Sequence, residues 1–206
     1  MLLEKIYKLL YMVKRNTVLT CIALTLFVSV LVACYIRYNG VYVISKVNNK
    51  GYFVQDLDDK QQAADKLAKI AVRLEKLVKH LSKKYPKLDS VKRLNKRFDS
   101  DNIKETYIDS EYTSYTVDKG ENMSYCLRTK NNDERTLHDI NTMMFVSIHE
   151  LAHVMTVTQD HSPEFHENFQ FILKEAIEIG IYKYVNYYEK PVEYCGMPIN
   201  TTPIKM

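Results

Sequence analysis

Apolar positions recur along this chain with several different periods, and each predicts a different element. Residues 17–36, TVLTCIALTLFVSVLVACYI, form twenty consecutive positions without a charge. As a helix they are long enough to cross a hydrocarbon layer of about 30 Å. Residues 41–57, VYVISKVNNKGYFVQDL, alternate apolar and polar side chains around an Asn-Asn-Lys-Gly turn, which predicts a hairpin or a pair of short strands. The period then lengthens to three or four. Leu67, Ile70, Leu74, Leu77 and Leu81 make one apolar stripe with lysines on the opposite face, which predicts an amphipathic helix. Asp58 or Asp59 is placed to cap its start and Pro86 to mark its end. A short helix follows around 90–98.

Residues 112–128, YTSYTVDKGENMSYCLR, predict two strands joined by Asp-Lys-Gly-Glu, with Gly120 supplying the turn. After a polar stretch at 129–136, an apolar-periodic helix is expected from about 137 to 156. A second, from 163 to 179, carries Phe165, Phe169, Ile172, Leu173 and Ala176 on one face. Ser162 and Pro163 read as a cap followed by a first-turn proline, and Gly180 closes the far end. Beyond about residue 188 the tyrosine-rich tail shows no helical period. Helix, hairpin, helix, helix makes an α+β class.

The 206 residues allow one globular domain with an appendage. Lys14 and Arg15 stand before the apolar run, Lys5 and Lys8 lie further back, and Arg37 closes it. This distribution predicts a type II signal anchor: a short basic cytosolic segment at 1–16, a membrane span at 17–37 and a domain at 38–206. A cleaved signal peptide is one alternative. Another is a lipoprotein, since LVAC at 31–34 would leave Cys34 as the lipidated residue. Cys21 also lies in the apolar run, while Cys126 and Cys195 fall in the domain and can bridge if it faces an oxidising compartment. No CxxC pair occurs, which excludes a cysteine zinc ribbon. Segment 76–97 holds nine lysines or arginines and one acid. It reads as the solvated side of two helices, with a phosphate-binding face for nucleic acid or attraction to anionic lipid as the sharper readings. A net charge of only +4 does not favour nucleic acid.

The chemistry concentrates in FVSIHELAHVMTVTQDHSPEFHENF, residues 145–169. His149 and His153, four apart on a helix, share a face and can place two imidazole nitrogens on one metal ion. Glu150 sits beside that face, able to take a proton from water acidified by zinc. The motif lies among Met143, Met144, Phe145, Val146, Ile148, Leu151 and Ala152. A buried helix is expected there, and histidines left in one without a metal would be costly unless hydrogen-bonded. A catalytic zinc needs a third protein ligand. His161 is favoured because it sits just before a capped helix; His166, Glu164, Glu175 and Glu178 are the alternatives. Tyr184, Tyr187, Tyr188 and Tyr194 are candidate oxyanion donors. The edge of the 112–128 hairpin offers a place for an extended peptide.

HELAH followed by HSPEF resembles the zincin peptidases of the SprT-like and WLM groups, in which the histidine of a His-Gly/Ser-Pro-x-Phe segment is the third zinc ligand. GYFVQDLDDKQQAADKLAKI, YTSYTVDKGENMSYCLR and KPVEYCGM extend the likeness over roughly residues 40–200, and resemble in particular WLM-like metallopeptidases of large DNA viruses. The resemblance implies a zincin-like domain of helices packed on a small antiparallel sheet. One zinc ion would be held by His149, His153 and His161, with Glu150 as base and a protein or peptide as substrate. A non-catalytic binding module, a protease acting on nucleic-acid-associated proteins and a hydrolase of other amides are the rival readings. Substrate identity and oligomeric state are not encoded in these motifs.

Overall fold

The charge-free run lies within one continuous helix, α1 (Leu2–Arg37). In the computed structural model, which describes residues 2–37, 40–107, 110–118, 120–130 and 135–204, the chain divides into two units, Met1–Asn39 and Gly40–Met206. In the first unit the basic stretch and the apolar run share one helix, so the expected boundary at 16/17 is one of composition only. Among the described residues, α1 is the helix long and apolar enough to cross a membrane, over Lys14–Cys34. Its side chains from Val18 to Val32 are exposed, an arrangement that costs least in an apolar solvent. The domain start expected at residue 38 lies outside the described residues.

The second unit begins with the expected hairpin. β1 (Gly40–Ile44) and β2 (Gly51–Gln55) run antiparallel, with Gly40 opposite Gln55 and Ile44 opposite Gly51. α2 (Lys60–Lys84) follows, and Leu67, Ile70, Leu74, Leu77 and Leu81 are completely buried, each contributing about 1.5–3 kcal/mol. Asp59 occupies the N-cap position but does not cap: its carboxylate instead accepts a 2.5 Å bond from Arg128 Nη2. α3 (Asp89–Arg97) leads through a single 3-10 turn into β3 (Ile103–Glu105).

The sheet expectation needs correction. β4 (Tyr115–Val117) and β5 (Asn122–Tyr125) form the antiparallel pair, but β3 adds to β5 in parallel. The result is a mixed sheet in the order β3-β5-β4. A three-residue strand among polar neighbours carries no period, and its partner is distant in sequence. At the β4–β5 turn Gly120 has φ +121°, and a Cβ there would meet the Arg97 carbonyl oxygen at 2.9 Å and Val154 at 3.2 Å. Glycine is required both by conformation and by the close approach of α3 and the next helix.

That helix, α4 (Ile140–Met155), starts three residues later than expected because Asp139 caps it, accepting from the amides of Asn141 (2.7 Å) and Thr142 (3.3 Å). Leu137 and His138 instead bridge back to Arg128 and Leu127, just beyond the end of β5. α4 is buried around most of its circumference, with α2, α3 and α5 (Pro163–Glu178) packed about it. α5 begins as expected, Ser162 Oγ accepting from the Phe165 amide at 3.2 Å.

The tail, which shows no helical period, contains a further pair of strands. β6 (Val192–Tyr194) and β7 (Met197–Ile199) form a tight hairpin whose turn residues, Cys195 (φ 51°) and Gly196 (φ 83°), both have positive φ. Such two-residue turns favour Asn-Gly or Asp-Gly, and Cys-Gly hides the signal. Cys126 and Cys195 form a disulfide across 69 residues, pinning this turn to the end of β5.

Candidate metal centre and catalytic cleft

α4 points His149 and His153 toward a cleft, and the loop after it brings a third imidazole to the same place. His149 Nε2 lies 3.3 Å from His153 Nε2 and 3.1 Å from His161 Nε2. One ligand atom from each of the three lies within 4.8 Å of the others. Two nitrogens on a tetrahedral zinc ion at about 2.0–2.1 Å are themselves about 3.3–3.4 Å apart, so the two edges that meet at His149 are close to the edge length of that tetrahedron. The rings are backed by an aromatic wall: Phe165 stacks on His153 at 4.3 Å and meets His149 at 4.9 Å, while Phe169 meets His149 at 5.1 Å. Burial, and then the neighbouring His153, His161 and His166, push His149 down to about 3. Its imidazole is therefore neutral at pH 7, the form that binds a metal. These residues fit a zinc ion.

Glu150 is 5% exposed, and its Oε2 accepts a 2.8 Å bond from Thr116 Oγ1 on β4. Burial raises it to about 7, with the Thr116 bond opposing the rise. A carboxyl poised there is suited to taking and returning a proton at neutral pH. Thr116 is the residue that sequence reasoning missed. Its role depends on β4 passing beside α4, which no local pattern reveals.

His161 belongs to a loop fixed by Glu164. The Glu164 carboxylate accepts from the amides of Val157 (3.1 Å) and Thr158 (3.2 Å) and pairs with Arg93 at 2.9 Å. Arg93 also donates to the Met155 carbonyl at the end of α4. Glu164 thus fastens the segment that carries His161 and stands outside the histidine trio. Replacing it with alanine is expected to weaken zinc binding about 10–100-fold, the usual cost of removing an outer support. Competition with a chromogenic chelator measures this, and unchanged affinity would contradict it.

The other alternative ligands are also placed elsewhere. Glu175 accepts from Tyr85 and pairs with His80 and Lys84, and Glu178 pairs with Lys84. His166 lines the cleft, but its ring centre is 6.4 Å from that of His161 and it stands outside the trio. Of the candidate tyrosines, Tyr188 and Tyr194 line the cleft. Tyr187 is buried against Phe145 with ring centres 4.8 Å apart, and Tyr184 donates to the Ile204 carbonyl at 3.5 Å; neither lines it. Burial holds the Tyr194 hydroxyl well above the usual phenol range, so it remains a donor. On the basic segment, Lys76, Lys84, Lys92, Arg93 and Arg97 all make hydrogen bonds or ion pairs within the protein.

The cleft measures about 1270 Å³, more than the roughly 300–1,000 Å³ typical of small-ligand pockets. It is lined by the Tyr112–Thr116 stretch that runs into β4, by the strap Met197–Pro203, and by the histidines with Phe145, Val146 and Phe169.

No family model matches this chain. An uncharacterized protein of Acanthamoeba polyphaga mimivirus is 38% identical over 168 residues, spanning 80% of this chain and 84% of that protein. An uncharacterized protein of Invertebrate iridescent virus 6 is 30% identical over 69 residues, 34% of this chain and 38% of its own length. Among solved structures, Wss1 from Saccharomyces cerevisiae aligns with a TM-score of 0.46 and 20% identity, over 61% of this chain and 85% of the other. That likeness is too low to carry an argument about the site. Identity at the level of the mimivirus relative, over most of both chains, is decisive for descent: this chain belongs to the family of that mimivirus protein.

Proposed function

We propose that the Gly40–Met206 unit is a zinc-dependent metallopeptidase, carried on α1 as a single-pass membrane anchor. The observation that carries the reading is the convergence of three imidazole Nε2 atoms, at 3.3 and 3.1 Å from the central one, beside a buried carboxyl. His149, His153 and His161 would hold the ion and leave a fourth position open. Zinc there would polarise the scissile carbonyl and lower the pKa of water towards 7. Glu150 takes the proton from the attacking water and passes it to the departing amine nitrogen. Thr116 fixes Oε2, which leaves the other carboxylate oxygen free of that bond to take the proton.

The size of the cleft supports a peptide substrate. β4 forms one edge of its sheet, so an extended chain can pair along it by strand addition and lie across the histidines. A non-catalytic role is less well supported, because a binding module has no use for a proton acceptor kept near pH 7. The nucleic-acid reading is weakened by the internal partners of the basic segment.

Cleavage of an unfolded protein such as casein by the full chain in detergent tests the reading. Activity is expected to disappear on removing the metal with 1,10-phenanthroline and to return with zinc. Activity indifferent to the chelator, or none in zinc-loaded protein across a diverse peptide library, would sink it.

A further inference from the structure

The disulfide beside Tyr194 has no part in the arrangement described so far. Tyr194, 3% exposed, lines the cleft from the end of β6. Its hydroxyl lies 2.5 Å from Ser114 Oγ, which also accepts from the Cys126 amide at 3.2 Å. Ser114, in the bend that leads into β4, and Thr116, within β4, both line the cleft. The same segment therefore presents two hydroxyls to the cleft: Thr116 holds Glu150 and Ser114 holds Tyr194.

The next residue, Cys195, is joined to Cys126, so both partners of Ser114 are tied to the bridge. The Cys195 amide also donates to His138 Nε2 at 3.3 Å, and the His138 ring lies 4.9 Å from that of Tyr194. The far end of the strap is fastened independently, by Thr202 Oγ1, which accepts from the Tyr187 amide and donates to the Val185 carbonyl. A donor held in this way does not need to be ordered when charge develops on a substrate oxygen. Tyr188, 64% exposed on the same cleft, would first have to be immobilised.

We propose that Tyr194 donates its hydroxyl to the carbonyl oxygen of the scissile bond, and that the Cys126–Cys195 bridge holds it in position to do so. The inference rests on the peptidase reading. No redox step is involved in turnover; the bridge is a fixed support.

The test uses the full zinc-loaded chain in detergent. Tyr194→Phe keeps the ring and removes the donor; it is expected to lower kcat about 10²–10³-fold, the usual effect of losing one oxyanion donor, with KM and zinc content unchanged. Cys126→Ala/Cys195→Ala is expected to lower kcat similarly while retaining zinc. Adding Tyr194→Phe to it should cost little more, because the two act as a unit. If the cysteine variant does not fold, Ser114→Ala replaces it in the same comparison.

Affinity for a phosphinic peptide, whose oxygens mimic the charged intermediate, gives a readout independent of turnover: Tyr194→Phe should bind it at least tenfold more weakly than the parent. Equal affinity, equal kcat or independent multiplicative losses would overturn the proposal, as would failure of the parent to bind the peptide. A parent that binds the peptide tightly through Tyr194 yet cleaves nothing would sink the peptidase reading, and with it the catalytic role, while leaving Tyr194 as a ligand-binding donor.

Discussion

Replacing Glu150 with glutamine is expected to reduce cleavage about 10²–10⁴-fold, the range that a positioned proton acceptor contributes, while one zinc per chain is retained. Glutamine has nearly the shape of glutamate, and its carbonyl oxygen can still accept the bond that Thr116 donates. It cannot take a proton from water. Because burial raises Glu150 to about 7, the parent's rate should climb as pH rises and the carboxylate form accumulates. A zinc ion nearby would draw the midpoint below 7, since a positive charge favours the carboxylate. The glutamine variant should lose this limb along with the activity. Peptide cleavage followed from pH 5 to 8, with zinc measured on the same samples, checks both parts. A variant that cleaves at the parental rate would contradict the role assigned here.

Arg128→Met is expected to destabilise the Gly40–Met206 unit by about 3–5 kcal/mol, the usual cost of leaving a buried charge without its partner. Arg128 Nη1 donates to Glu105 at the end of β3, and its Nη2 to Asp59 before α2. The Glu105 side chain has no solvent exposure and also accepts from the Gln55 amide of β2 at 2.8 Å. One guanidinium thereby joins the β5 end, β3 and the start of α2. Burial already raises Glu105 above its ordinary range despite the arginine, and removing the arginine should raise it further. A raised carboxyl binds its proton more tightly in the folded state, so folding stability from this group falls as pH rises from its unfolded value towards its folded one. The deficit of Arg128→Met should therefore be smaller near pH 5 than at pH 8. Calorimetry should show a fall of about 10 °C at neutral pH, and a loss below about 1 kcal/mol would contradict the account.

The elements that were legible in the sequence are those whose information is local. α2, α4 and α5 follow from apolar period, Ser162-Pro163 marks the start of α5, and His149 and His153 meet because four residues are one helical turn. His161 could be favoured because a capped helix follows it. What was hidden depends on contacts between distant segments. β3 joins β5 in parallel without any pattern of its own, and Thr116 reaches Glu150 only because β4 passes α4. Glu164 had the right chemistry for a ligand, but two nearby amides and Arg93 take its carboxylate. The β6–β7 turn was concealed by a cysteine where asparagine or aspartate is usual, and that cysteine is the one bridged to Cys126.

Zinc per chain, measured by atomic absorption on the purified parent beside His161→Ala and His166→Ala, tests the central claim most directly. The account predicts one zinc in the parent and in His166→Ala, and loss of it in His161→Ala. A folded parent that takes up no zinc, or a His161→Ala variant that holds it as tightly as the parent, would contradict the three-histidine centre on which the proposed chemistry depends.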